Sequence, residues 1–349
     1  MSPTFTAARR VLERAAGDGV FPAAVAEVGT PLHSLWRQPF GRLSLDPSAP
    51  STQEDTVFDL ASLTKVLATT PLLMQMVERG FIHLDDPVSA HIPGWRDHAD
   101  AVVAIRDLLA HCSGLPAYAP LYRDHSSRAG FEEAICAVRR EYPPRSTSVY
   151  SDLGFMLLGF ILENTAPLPV QFESLMKREG LGDLQFQPPA SWRSRTAPAR
   201  HDEWRGRLLV GEVDDNNAWA LGGAAGHAGL FGTAASVGGC ARHLLQALAG
   251  HGGAFQRETV LTFVTRRSDV PDSSRALGWD TMLPTSSCGT ALSRRAFGHT
   301  GYTGTSLWVD PEREVYVVLL TNRVHPAATN DAIKAVRPAF HDAVMAELP

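Results

Sequence analysis

The sequence is poor in the features that mark secreted, membrane-spanning and nucleic-acid-binding proteins. Its 349 residues include only four cysteines, Cys112, Cys136, Cys240 and Cys288, and no C-x-x-C spacing, which favours free thiols in a reducing compartment over disulfides or a zinc site. No run approaches about 18 apolar residues, so we expect no membrane span. The formal net charge is -5 and no Lys/Arg cluster occurs, so we expect no nucleic-acid partner.

The histidines and the N-terminal segment lack two further signals. None of the 13 histidines forms H-E-x-x-H or a comparable cluster, so we expect no metal, and no motif predicts a cofactor. Residues 1–19 contain no apolar core and no small-residue cleavage site, which predicts a cytoplasmic protein. A misassigned start codon would hide a signal peptide, so a periplasmic location stays open.

Strand-like segments lie at both ends of the chain. After a helix predicted over residues 5–16, two such segments cover 23–28 and 33–40. Beyond residue 275, β-rich runs alternate with Gly, Pro and Asp turns over residues 276–283, 296–311 and 314–323. A helix over 331–347 closes the chain.

Helix-like segments separated by loops rich in proline and glycine occupy the middle of the chain, over residues 105–116, 131–139, 150–166 and 235–248. This order predicts an α/β fold in which N- and C-terminal segments build one antiparallel sheet and a mainly helical domain is inserted between them. We assign residues 1–72 and 246–349 to the sheet domain and residues 73–245 to the helical domain.

Ser62 and Lys65 stand three residues apart at the start of an apolar, helix-patterned run over residues 57–80. Residues at i and i+3 share a helix face, and the run is apolar on all sides, so we expect Lys65 to be buried. Burial lowers the pKa of a lysine by up to about 3–5 units, which would turn Lys65 into a base that activates the Ser62 hydroxyl. The alternative is an exposed serine beside a lysine that extends to solvent.

Two other stretches have both a structural and a functional interpretation. Tyr150 lies where a loop meets the apolar helix predicted over 150–166, so its side chain faces either a cleft or, as a structural residue, the core with its hydroxyl in solvent. The glycine-rich run 221–234 lacks the G-K-[ST] ending of a phosphate-binding loop. We therefore expect it to serve close backbone approach at a turn.

Three motifs resemble, in order, those of the penicillin-recognising serine hydrolases: Ser62-Leu63-Thr64-Lys65, Tyr150-Ser151-Asp152 and His299-Thr300-Gly301. The segments L-L-A-H-C-S-G-L-P and G-G-A-A-G-H-A-G-L-F-G-T-A resemble further blocks of that superfamily, and the resemblance extends from about Gly19 to Asn322. It implies a three-layer α-β-α fold of the β-lactamase/transpeptidase type, with the active site where the sheet and helical domains meet.

The resemblance also implies a mechanism. Ser62 would attack a carbonyl carbon to form an acyl-enzyme, while Lys65 and Tyr150 share the proton transfers. The backbone N–H groups of Ser62 and of Tyr302, on the strand that follows the third motif, would bind the oxyanion. Four residues of the motifs would bind substrate: Asp152, His299, Thr300 and Gly301, the last by allowing close approach to the strand edge.

Two residues depart from the commonest pattern of that superfamily. His299 stands where lysine is usual, and a histidine is mostly neutral at pH 7, so a substrate held by its carboxylate is less expected than an ester or amide without one. Asp152 stands where asparagine is commoner. Beside Lys65 it would keep the amine charged, and that charge would lower the pKa of Tyr150 and make the phenolate the base.

The sequence therefore predicts a serine hydrolase acting on a small ester or amide, including muropeptide-type and D-amino-acid amides. A true β-lactamase or D-Ala-D-Ala carboxypeptidase remains an alternative, as does a non-catalytic penicillin-binding sensor or scaffold. An α/β-hydrolase is disfavoured because no G-x-S-x-G occurs. The expected partner is a small molecule, and no feature predicts an oligomeric state.

Overall fold

Six strands form one antiparallel sheet in the computed structural model, which describes residues 4–96, 102–327 and 331–348. In chain order the strands of this described part are β1 (Ala23–Gly29), β2 (Ser34–Gly41), β3 (Phe58–Asp59), β4 (Leu184–Phe186), β5 (His201–Asp202), β6 (Arg207–Leu208), β7 (Leu230–Gly232), β8 (Asp280–Thr281), β9 (Phe297–Thr300), β10 (Ser306–Asp310) and β11 (Val315–Thr321). The large sheet has the order β2-β1-β11-β10-β9-β8. Its strands come from both chain ends, which confirms the predicted sheet.

Ten α-helices complete the described chain: α1 (Thr6–Gly17), α2 (Thr70–Glu78), α3 (Ile105–Leu109), α4 (Arg128–Ala137), α5 (Asp152–Glu163), α6 (Leu168–Arg178), α7 (Asn216–Ala220), α8 (Ala234–Leu248), α9 (Arg257–Val264) and α10 (Ile333–Glu347). A π-helical turn, Lys65–Thr69, leads into α2. The sequence patterns missed α6, α7 and α9 and the short strands β3 to β7, and they placed Tyr302 on a strand although it lies in the turn between β9 and β10.

The two faces of the large sheet are covered by different helices because side chains alternate along each strand. On β11, Val317 and Leu319 pack into the layer of α1 and α10, whereas Val318 and Leu320 face the larger core that includes α8. Helices on both faces give the predicted three-layer fold. The predicted boundaries at residues 72 and 245 fall inside α2 and α8, and α8 packs against β1 and β11. This corrects the assignment of α8 to the inserted region.

The buried helix α5 packs directly on the glycine-rich run. A Cβ atom at Gly226 would lie 2.1 Å from the carbonyl oxygen of Phe155, and one at Gly159 would lie 2.8 Å from the nitrogen of Gly226. The two backbones touch because neither glycine has a side chain, which confirms the predicted close approach. The run also contains β7, which pairs with β3 and β4 and so holds the segment before Ser62.

All four cysteines are free thiols, as their spacing predicted. Taken singly, the described helices are each too short or too polar to cross a bilayer, and only α5 and α6 together, across a 79° bend, reach the required length and composition.

Candidate active site

Ser62 lies in a tight turn between β3 and the π-helical turn. The preceding residue, Ala61, has a left-handed backbone with φ 47°. Two side chains hold this conformation: Asp59 Oδ1 accepts a hydrogen bond from the Ala61 N–H at 2.9 Å, and Thr64 Oγ1 donates to the Ala61 carbonyl at 2.6 Å. The strain of a non-glycine residue in this region is therefore supported by the surrounding structure, as at many functional sites.

Lys65 is fully buried beneath Ser62, as predicted. Its Nζ donates to Ser62 Oγ at 2.9 Å, to Asp152 Oδ1 at 2.7 Å and to the carbonyl of His227 at 2.9 Å, so all three N–H groups have partners. Burial disfavours the charged amine, but the Asp152 carboxylate and Tyr150 outweigh it, and the pKa of Lys65 is raised. The expectation of a lowered pKa at Lys65 is therefore wrong, whereas the charged amine expected beside Asp152 is confirmed.

The ring of Tyr150 lies 5.0 Å from Lys65 Nζ and contacts two imidazoles, with ring centroids 4.6 Å from His111 and 5.7 Å from His299. Its buried hydroxyl lies within reach of Ser62 and Lys65, but in the described chain it completes no hydrogen bond of good geometry. Burial raises the pKa of Tyr150, and the opposing charge of Lys65 does not reverse the shift. Lys65 thus acts in the expected direction, but the predicted lowering of the tyrosine pKa is wrong.

The backbone N–H groups of Ser62 and Tyr302 donate no hydrogen bond to any residue in the described ranges. The turn that carries Tyr302 is tied to the segment before Ser62, since Thr303 Oγ1 donates to the Asp59 carbonyl at 2.8 Å and Thr305 Oγ1 to the Leu60 carbonyl at 3.2 Å. These bonds fix the two unpaired amides relative to each other.

The structure requires glycine at position 301 for a reason other than the predicted one. A Cβ atom there would lie 2.1 Å from Thr305 Oγ1 and 2.7 Å from the Leu60 carbonyl oxygen. The residue is therefore required for the contact between its own turn and the nucleophile segment. Glycine is needed here for this internal contact, and not for the close approach of substrate that was expected.

His299 is buried on β9, and its Nδ1 donates to the carbonyl of Thr300 at 2.8 Å. Burial, together with the charges of Arg275 and Lys65, holds the pKa of His299 well below its usual value. The imidazole is therefore neutral, as the sequence predicted. The site still contains a cation that none of the three motifs includes: the guanidinium of Arg275 lies 5.3 Å from the centre of the Tyr150 ring.

Three more residues of the site were missed. His227 supplies the carbonyl that binds Lys65, and its Nε2 contacts Asp215 Oδ1 at 2.9 Å. Burial opposes ionisation of Asp215, but His227 and the N–H of Ala218 lower the pKa of that carboxyl to about 2. His111 Nδ1 accepts from the Ser151 N–H at 3.0 Å. Both histidines occur in segments that carried the resemblance, which is the signal that could have identified them.

The predicted residues meet at a cleft of about 660 Å³, and only Lys65 lies beneath its surface. The cleft is lined by Ser62, Tyr118, Tyr150, Asp152, Arg200, Asp214, Asp215, Asn216, His227, Arg275, Asp280, His299, Thr300, Gly301 and Tyr302, among others. In the part of the chain that the structure describes, no group of three or more His, Cys, Asp or Glu side chains is placed to hold a metal ion. The arrangement offers a nucleophile, two groups that can carry its proton and two amides for an oxyanion.

The site has a serine that is hydrogen-bonded to a buried lysine, beside a tyrosine and the edge of an antiparallel sheet. This arrangement is that of the serine hydrolases of the β-lactamase and penicillin-binding protein class. The chain belongs to this group: the sequence model of the family described as Beta-lactamase matches residues 8–339.

Two curated relatives share about a third of their aligned residues with this chain. A protein of Escherichia coli (strain K12) named "Putative D-alanyl-D-alanine carboxypeptidase" is 32% identical over 311 residues, which cover 77% of this chain and 70% of the relative. A protein of the same name from Salmonella gallinarum is 33% identical over 320 residues, 80% of this chain and 72% of the relative.

Solved structures at lower identity show the same fold. EstCE1, a hydrolase with promiscuous acyltransferase activity, matches with a TM-score of 0.74 at 22% identity over 96% of this chain and 97% of its own. A penicillin-binding protein homolog from Caulobacter crescentus gives 0.76 at 19% identity over 99% and 97%. A class C beta lactamase from Rhodobacter sphaeroides gives 0.75 at 19% identity over 97% and 98%.

Proposed function

We propose that this chain hydrolyses small esters or amides through an acyl-enzyme on Ser62. The observation that carries the proposal is the hydrogen bond of 2.9 Å between Lys65 Nζ and Ser62 Oγ. Ser62 lines the cleft together with Tyr302, and among the described residues the N–H groups of both donate no hydrogen bond. Ser62 Oγ bonds to the substrate carbonyl carbon, and the negative oxygen is bound by the two amides. The leaving alcohol or amine departs with a proton, and water then attacks the acyl-enzyme to release the acid and restore Ser62.

Lys65 and Tyr150 are the proposed carriers of the proton. Both have raised pKa values, so in the resting enzyme near neutral pH the amine is charged and the phenol is neutral. One proton must leave this coupled pair before it can accept the proton of Ser62. The pair, and not either residue alone, is therefore the general base of the proposal.

The proposed substrate is an ester or amide that needs no carboxylate anchor at His299. The neutral imidazole of His299 supports this preference. Asp152, Thr300 and Tyr302 line the cleft and are proposed to contact such a substrate.

A D-Ala-D-Ala carboxypeptidase or β-lactamase activity is the second candidate. Arg275 and Arg200 line the cleft and offer cations that a carboxylate could bind, even though His299 does not. The names of the Escherichia coli and Salmonella relatives point in the same direction.

The test compares p-nitrophenyl acetate, an N-acyl-D-Ala-D-Ala peptide and nitrocefin as substrates of the wild-type chain and of Ser62→Ala. We expect many turnovers of the ester and a loss of at least about 10³-fold in kcat for Ser62→Ala, since Ser62 Oγ is the atom proposed to form the acyl-enzyme. Ser113→Ala is the matched control, because Ser113 is a buried serine outside the cleft lining.

Each outcome separates the candidates. Faster turnover of the peptide or of nitrocefin than of the ester would select the second candidate. Stoichiometric acylation by a penicillin without turnover of any substrate would instead show a sensor. Unchanged activity in Ser62→Ala would remove the proposal altogether.

A further inference from the structure

Arg337 is a buried cation that the proposed mechanism leaves unused. It projects from α10, it is only 7% exposed, and within the described residues no carboxylate lies at ion-pair distance from it. Burial and the neighbouring charge of Arg323 lower the pKa of Arg337 to about 10. A buried charge without a counter-ion is unfavourable unless hydrogen bonds compensate for lost hydration, so its contacts require an explanation.

Among the described residues, the guanidinium donates to three backbone carbonyl groups, and all three belong to the turn after β9. Nη2 donates to the carbonyls of Gly301 at 2.7 Å and Thr305 at 2.9 Å, and Nε donates to the carbonyl of Gly304 at 3.3 Å. The same turn is closed by the Gly304 N–H, which donates to Gly301 at 3.0 Å. Arg337, which also lines the cleft, therefore holds the shape of this turn by bonding to three of its carbonyl groups.

The Gly301 carbonyl is part of the same peptide group as the Tyr302 N–H. A hydrogen bond from a cation to a peptide oxygen draws electron density toward that oxygen and makes the N–H at the other end a stronger donor. The other unpaired amide is arranged in the same way, since the Ala61 carbonyl shares its peptide group with the Ser62 N–H and accepts from Thr64 Oγ1 at 2.6 Å. Both amides are thus polarised through their own carbonyl groups.

We propose that Arg337 is a positioning residue of the oxyanion site, which orients and strengthens the Tyr302 N–H through the Gly301 carbonyl. The inference rests on the proposed function, because it assigns Tyr302 N–H to the negative oxygen of the intermediate. Its effect appears when charge develops on that oxygen, so it acts on kcat more than on KM.

The test replaces Arg337 with glutamine, which is neutral, and with lysine, which keeps the charge. Removing a whole oxyanion donor costs about 10²–10³ in kcat, so weakening one by Arg337→Gln should lower kcat for p-nitrophenyl acetate about tenfold with KM little changed. Arg337→Lys should recover part of the loss. The infrared stretching frequency of the acyl carbonyl, measured in the acyl-enzyme, should rise in the order wild type, Arg337→Lys, Arg337→Gln as the donor weakens.

Arg323→Met is the matched control for loosening the turn. Arg323 Nε donates to the carbonyl of Tyr302 at 2.8 Å, which belongs to the next peptide group and not to the one that carries the Tyr302 N–H. We expect the acyl carbonyl frequency of Arg323→Met to equal that of the wild type.

Three results would overturn the inference: an unchanged kcat in folded Arg337→Gln, a fall in kcat without a frequency shift, or the same shift in Arg323→Met. Should Arg337→Gln not fold, Arg337→Lys decides the matter by the same frequency measurement, because one amine cannot reproduce the fork of Nε and Nη2. Absence of any acyl-enzyme in the wild type would instead refute the proposed function itself.

Discussion

The charge of Lys65 depends on a residue 87 positions further along the chain. Burial of the lysine could be predicted from the apolar run around it, but the direction of its pKa shift could not be predicted from burial alone. Only the contact of 2.7 Å with Asp152 decides that the charged form is favoured. The same holds for Tyr150, whose burial outweighs the nearby ammonium. Burial could therefore be predicted from the apolar pattern, but the net direction of each pKa shift depends on contacts between distant segments.

The pH dependence of the reaction follows from these two shifts. Because both pKa values lie above the usual ones of about 10, the form of the pair that has lost one proton is scarce near pH 7. As long as the pH is below those pKa values, the population of this form increases about tenfold for each unit that the pH is raised. We therefore expect kcat/KM for p-nitrophenyl acetate to increase from pH 6 to pH 9. The Asp152 carboxylate raises the pKa of Lys65 and that of Tyr150, so in Asp152→Asn the increase in kcat/KM should occur at lower pH. The measurement is the pH–rate profile after subtraction of the Ser62→Ala background.

Asp86→Asn provides the control for that experiment. Asp86 pairs with His91 at 3.2 Å and does not line the cleft, so its removal should leave the profile in place. A flat wild-type profile, or one that does not move in Asp152→Asn, would show that the Lys65–Tyr150 pair is not the base.

Among the elements, long patterned segments could be predicted and short ones could not. The helices α1, α5, α8 and α10 and the strands β1, β2 and β11 lie within a few residues of their predicted ranges, whereas the predicted run 296–311 covers both β9 and β10 and the turn between them. Strands of two or three residues, such as β3 and β7, are too short to show alternation. Their pairing positions the Ser62 turn, so this part of the site depends on contacts that no local pattern indicates.

The contact between α5 and the glycine-rich run can be tested at Gly226. In Gly226→Ala the added Cβ would meet the Phe155 carbonyl oxygen at 2.1 Å, and backbone atoms on both sides must move. Overpacking of this kind costs about 1–3 kcal/mol, and we expect the upper end because no flexible side chain can give way. The Gly226 carbonyl also accepts from Thr69 Oγ1 in the π-helical turn, so kcat should fall as well.

Gly182→Ala is the comparison for that variant, since a Cβ atom there would have nothing within 4 Å. Urea unfolding followed by circular dichroism should show a lower midpoint for Gly226→Ala alone. Equal midpoints for the two variants would mean that the close approach contributes nothing to stability.

For the whole molecule, the central relation is that the active site forms where distant parts of the chain meet. Ser62 comes from the N-terminal part, Tyr150 from the middle and His299 from the C-terminal part, and β1 pairs with β11 so that Ala24 lies opposite Thr321. The resemblance could predict that the three motifs converge. The distances within the site depend on how these segments pack together, so no single segment could predict them. The same holds for the presence of Arg275 in the site and for the hydrogen bonds from Arg337.

Asn322 connects the N-terminal, middle and C-terminal parts of the chain through side-chain hydrogen bonds. Replacing it measures how much the packing of these parts depends on one side chain. Its Oδ1 accepts from the Ala23 N–H, 299 residues away, and its Nδ2 donates to the carbonyls of Leu43 and Pro198, all at 2.9 Å. Asn322→Ala would leave these buried backbone groups without partners, and each such group costs about 1–3 kcal/mol, so we expect the free energy of unfolding to fall by about 3 kcal/mol.

Asn164→Ala removes an exposed asparagine that bonds to the His91 carbonyl, and should cost less than about 1 kcal/mol. Urea midpoints with unchanged slopes give both values. Equal losses in the two variants would show that water satisfies the groups around residue 322 and that the sheet and the inserted region are held together elsewhere.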